Sequence, residues 1–117
     1  MKKASFVLLL IVASIFTILS CSKSSGGSNN TLDCTNVSKS YINDVDPIVQ
    51  THCSQAGCHA PGSVNGPGAI TNYTQVFNAR AQIRVQIAAG LMPQNAVLNT
   101  TQKNSFLCWI DSGAPNN

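Results

Sequence analysis

Seven consecutive residues, Cys53-Ser-Gln-Ala-Gly-Cys58-His59, constrain this chain more than any other stretch. Each thiol can add to one haem vinyl group to give a thioether, and an imidazole directly after the second thiol can donate its lone pair to the iron from the proximal side. Adjacency matters as much as identity, because a histidine next to an anchored cysteine is delivered beneath the ring that its neighbour holds. In the usual attachment motif two residues separate the cysteines; here Ser54, Gln55, Ala56 and Gly57 do. At ~100° per helical residue this spacing turns Cys53 and Cys58 to different faces. The intervening residues are therefore expected to bulge, with Gly57 the one best suited to allow it.

The other cysteines have separate jobs. Cys21 follows Lys2-Lys3 and an apolar run of 14 residues from Phe6 to Leu19, the layout of a secretory signal over residues 1–20. That run is shorter than the ~20 residues of a membrane span. A cysteine at the cut, after Ile18-Leu19-Ser20, makes the segment look like a bacterial lipoprotein signal, which implies lipidation of Cys21 as the new N-terminus. The expected location is the bacterial cell envelope, lipid-anchored to a membrane and facing the periplasm or the cell exterior. If Cys53 and Cys58 take haem, Cys34 and Cys108 are left as a pair in an oxidising compartment, where a disulfide is the expected fate.

Residues 22–31, Ser-Lys-Ser-Ser-Gly-Gly-Ser-Asn-Asn-Thr, carry no hydrophobic side chain. They read as a flexible tether. Residues 21–31 thus form a lipidated linker, and residues 32–117 the domain. The formal charge of +3 includes Lys2 and Lys3; from Cys21 onward Lys23, Lys39, Arg80, Arg84 and Lys103 face Asp33, Asp44, Asp46 and Asp111, a net +1. There is no basic stripe of the kind that nucleic-acid binding requires, so no nucleic-acid partner is expected. Glutamate is absent, which argues against a hydrolase built on paired carboxylates.

Periodicity predicts a small all-α domain. Asp46-Pro47 resembles an N-cap and first helical residue, with Ile42, Val45, Ile48 and Val49 offering apolar contacts on the way to Cys53. Residues 60–70 are rich in Pro, Gly and Asn and read as a loop. Thr71 can cap a short turn carrying Tyr73, Val76 and Phe77, and residues 79–89 look helical, with Gly90 placed to end them. A last helix is predicted to begin after Thr100 or Thr101, with Phe106, Trp109 and Ile110 at helical spacing and Gly113 as its stop. No internal repeat or alternating strand is visible. Asn36, Asn72 and Asn99 each begin a match to the glycosylation acceptor pattern, most simply read as chance.

A domain of this size has a thin core, and a flat apolar macrocycle at its centre would supply what is missing. Met92, in Gly90-Leu91-Met92-Pro93, is the only methionine after the signal. A thioether from such a loop suits the second axial position of the iron, raising the reduction potential. Arg80 and Arg84, one helical turn apart, are candidates for pairing with haem propionates.

Taken together, Cys53 to His59, Met92-Pro93 and the terminal Trp109-Ile110-Asp111-Ser112-Gly113-Ala114 resemble the single-haem cytochrome c family, in particular the small domains of bacterial lipoproteins. The resemblance covers residues 37–114 and departs from the family in the longer cysteine spacing. It implies a cytochrome c-like helical domain wrapped around one covalently bound haem c, with the N- and C-terminal helices in contact. By the same resemblance Cys53 and Cys58 are the attachment residues, His59 the proximal ligand and Met92 the distal one. The function implied is that of a membrane-tethered monohaem electron carrier outside the cytoplasm, serving a redox protein partner and not itself an enzyme. Two rival readings stand beside it. One is a disulfide-stapled lipoprotein module without cofactor, pairing Cys53 with Cys58 and Cys34 with Cys108. The other is a zinc site using Cys53, Cys58 and His52 or His59, which an oxidising compartment disfavours.

Overall fold

The computed structural model describes residues 32–117; the signal segment, Cys21 and the tether lie outside them. Helix α1 occupies residues 41–53. The first N–H groups of a helix have no partner within it, and here they find partners on both sides. The Ser40 hydroxyl accepts from Asn43 N–H at 3.3 Å, and the Asp44 carboxylate accepts from Ser40 N–H at 2.7 Å. From the far end of the chain, Asn117 accepts from Tyr41 N–H through its side chain at 2.8 Å and from Ile42 N–H through its carbonyl at 2.9 Å.

The start expected at Asp46-Pro47 is thus replaced by one at Tyr41, capped by Ser40. Pro47 sits inside the helix, in the single α turn Asp46–Ile48. A proline cannot donate the i−4 bond and crowds that carbonyl. On either side of it the chain is wound one residue wider, over Tyr41–Val45 and Val49–Cys53, with bonds such as Asp46 N–H to the Tyr41 carbonyl. This shift of register is the kind that lets an irregular residue stay within a helix. The buried stripe runs Tyr41, Val45, Ile48 and Val49, while Ile42, one step round from Tyr41, is 64% exposed instead of facing the core.

Helix α2 spans Tyr73–Ala88, joining the short turn expected around Tyr73, Val76 and Phe77 to the helix expected over residues 79–89, and its cap is Asn72, whose side chain accepts from Gln75 N–H at 3.1 Å. Thr71 instead donates to the Gln75 side chain. Val76, Ala79, Ile83 and Ile87, spaced three and four apart, are buried on one face. Gly90 ends the helix in the left-handed region at φ +70°, and Lys103 donates to the exposed Ala88 carbonyl at 3.0 Å, where a cation also meets the negative end of the helix dipole. Helix α3 spans Thr100–Asp111 behind a reciprocal capping box between Asn99 and Gln102.

Helix α3 contacts both α1 and α2 and contributes the centre of the core. Phe106 and Trp109 are fully buried, and Trp109 forms an aromatic triangle with Tyr41 and Tyr73, its ring 5.6 and 6.4 Å from theirs and the two tyrosines 5.0 Å apart. Its indole N–H donates to the Pro115 carbonyl at 2.8 Å, and the Tyr73 hydroxyl to the Ala114 carbonyl at 3.0 Å, so each polar handle is satisfied as its ring is buried. Cys34 and Cys108 form the expected disulfide, Cα to Cα 5.5 Å. Among the described residues there is no strand, and no helix is long and apolar enough to cross a membrane.

Candidate functional site

Helix α1 delivers Cys53 as its last residue, and a built turn leads from it to His59. Ser54 N–H still bonds the Val49 carbonyl, and the Gln55 side chain reaches back to the Gln50 carbonyl at 2.7 Å, so the helix end is closed. Cys58 N–H then bonds the Gln55 carbonyl at 2.9 Å across Gly57 at φ +80°. This is the bulge that the four-residue spacing required, at the residue that bears it most easily. Its consequence is that His59 N–H meets the Cys53 carbonyl at 3.2 Å: the extra residues are looped out, and His59 returns beside the helix end that carries Cys53.

The loop over residues 60–70 then fastens the Cys58-His59 peptide. The Cys58 carbonyl accepts from the Ser63 hydroxyl at 2.5 Å and from the Asn65 side-chain amide at 3.0 Å. The His59 carbonyl accepts from Ile70 N–H at 2.9 Å. His59 is 8% exposed, and its Nδ1 lies 2.8 Å from the Gly68 carbonyl. A carbonyl can only accept, so Nδ1 carries a proton, and in the neutral ring Nε2 carries the lone pair. No buried side-chain nitrogen or oxygen lacks a partner among the described residues, so Nε2, which has no described partner, is not sealed off. Every backbone polar group of Cys58 and His59 is therefore held by the protein, and the groups left over are the Cys58 thiol and His59 Nε2.

Cys53 and Cys58 are both free thiols; the second bridge of a disulfide-stapled module is not formed. Cys53 packs against the hydrophobic core, and burial, helped by the nearby Cys58 thiol, pushes its pKa up to about 11. Cys58 lines an open cleft of about 310 Å³ together with Pro61, Val64 and Asn65. His52 is half-buried in the last turn of α1. Among the described residues no three His, Cys, Asp or Glu side chains converge as a metal site requires, which leaves the zinc reading without a ligand set.

The remaining candidates lie elsewhere. Met92 is half-buried on the turn after α2, its N–H 3.3 Å from the Gln86 carbonyl, and it does not line the cleft that holds Cys58. Arg80 stacks on the Phe77 ring at 3.9 Å. Arg84 makes a two-pronged pair with Asp111 at 2.6 and 2.9 Å, which holds that carboxyl below its usual range. Among the exposed large hydrophobic side chains, Val64, Leu91 and Val97 stand on the loops that carry His59 and Met92, and Val64 is 96% exposed. Sequence reasoning passes over Ser63, Asn65 and Gly68, although polar turn-forming side chains directly after a Cys-His pair are the usual means of fastening a loop. The chain matches no protein-family model, no curated protein and no solved structure.

Proposed function

We propose that this chain is a membrane-tethered, monohaem c-type cytochrome that carries single electrons outside the cytoplasm. The observation that carries the reading is the state of the Cys58-His59 pair: all its backbone polar groups and Nδ1 are engaged, and a free thiol and an imidazole lone pair remain. That donor set fits covalent haem, with two thiols for the vinyl groups and a neutral imidazole for the iron. A metal-binding histidine whose other nitrogen donates to a carbonyl is fixed in tautomer and orientation, and is a stronger donor for it.

When bound, haem supplies one-electron cycling between ferric and ferrous iron. The chain's part is to hold it. Cys53 and Cys58 would hold it through thioethers, and His59 Nε2 and Met92 would be the protein ligands of its iron, a His/Met pair that would favour electron transfer over catalysis. Val64, Leu91 and Val97, exposed on the loops of His59 and Met92, are the apolar side chains available to cover a macrocycle. Propionate contacts by Arg80 or Arg84 require release from Phe77 or Asp111.

The test is a reduced-minus-oxidised visible spectrum of protein made in a strain with haem-maturation machinery, followed by haem staining of a denaturing gel. Covalent haem with a low-spin spectrum is expected in the wild type and is lost in His59→Ala. Wild-type protein that emerges without haem from a strain that matures a control cytochrome refutes the assignment.

A further inference from the structure

We propose that Asn65 is a positioning residue for His59, closing a ring of contacts that selects which imidazole nitrogen presents its lone pair. The side-chain amide of Asn65 donates to the carbonyls of Gly57 and Cys58, at 2.9 and 3.0 Å. The Asn65 backbone carbonyl accepts from Gly68 N–H, and the Gly68 carbonyl accepts from His59 Nδ1–H at 2.8 Å. The chain returns from His59 to Cys58 through one peptide bond. One residue thus spans the loop: its side chain grips the peptide before His59, and its backbone grips the residue that orients the imidazole. Ser63 supports the same carbonyl through its hydroxyl, which also accepts from Asn65 N–H at 3.2 Å.

Core packing does not account for Asn65, which is exposed and outside the hydrophobic cluster. Simple turn formation does not require its amide either, since aspartate forms such turns as readily. What distinguishes asparagine is the donor: an ionised carboxylate can only accept and would face the two carbonyls with no hydrogen to give. Gly68, at φ +95°, adopts a backbone that other residues rarely reach, which lets its N–H and carbonyl serve Asn65 and His59.

The inference rests on the haem reading for its purpose but not for its test. The measurement is the tautomer of His59 by ¹⁵N NMR of the apoprotein in mildly alkaline solution. Wild type is expected to hold the proton on Nδ1. Asn65→Asp keeps size and turn preference, and Asn65→Ala removes the amide without adding charge; in both, the Nδ1–H preference is expected to fall about tenfold, roughly what one hydrogen bond sets, with backbone shifts outside residues 57–70 unchanged. In haem-loaded protein the same variants are expected to show a raised reduction potential, because the imidazole becomes a poorer donor. An unchanged tautomer in either variant overturns the proposal whatever the haem result. A tautomer shift in the variants of a chain that never takes up haem supports the ring and refutes the haem reading alone.

Discussion

At Cys53 the thiol lies against the core, and burial raises its pKa from the ordinary 9.0 to about 11. Below pH ~9 the folded and unfolded chains both keep this proton, and the stability due to the neutral buried thiol is fully present. Between pH ~9 and ~11 the unfolded chain releases the proton while the folded chain does not, so stability falls with rising pH by about 2–3 kcal/mol. Tyr41 adds to the loss at higher pH, since burial and the Asp46 carboxylate also raise its phenol. Urea unfolding at pH 8 and pH 11 of apoprotein that keeps the Cys34–Cys108 bridge and has Cys53 and Cys58 as thiols should therefore show a steeper loss in wild type than in Cys53→Ala, and equal losses would show that the thiol is solvated. Met92 belongs to the same scale. Met92→Ala in haem-loaded protein should lower the potential by a sizeable part of the roughly 0.8 V that axial ligation spans and let carbon monoxide bind the reduced iron. An unaltered potential would remove Met92 from the iron.

Helix ends are legible in the sequence where a single side chain sets them, and misleading where a neighbouring element decides. Gly90 and Gly113 end α2 and α3 in the left-handed region, as glycine is needed there. Asn72 and Asn99, which each begin a match to the glycosylation acceptor pattern, prove to be caps. Asn99→Ala should cost about 1 kcal/mol by loss of the cap, read as a lower denaturant midpoint with unchanged slope, while Asn99→Asp should retain most of it. The start of α1 is not where the sequence suggests, because Asp46-Pro47 carries a strong local start signal. It is overruled by Ser40 and by Asn117, which lies 76 positions from Tyr41 in sequence. No local pattern contains that contact.

On the scale of the fold, the three helices and one disulfide of the described residues enclose a core centred on Trp109. The Cys34–Cys108 bridge spans 74 residues, a loop whose closure entropy is worth about 4 kcal/mol in the chain-entropy model. Replacing both cysteines by alanine should lower the unfolding free energy by that order, and a loss below about 1 kcal/mol would mean that the unfolded chain is already confined. Composition, periodicity and residue spacing determined the helical class, the need for a bulge at Gly57 and the chemistry offered by Cys53, Cys58 and His59, because each depends on residue identity or short-range stereochemistry; the bridge between Cys34 and Cys108 followed only by elimination from reading Cys53 and Cys58 as haem thiols, and the fold forms it. Only the tertiary structure decided that His59 meets the Gly68 carbonyl, that Asn65 and Ser63 hold the Cys58 peptide, and that Arg84 answers Asp111 across 27 residues. Those contacts are hydrogen bonds and ion pairs between groups that many other partners could satisfy, and packing of the helices selects among them.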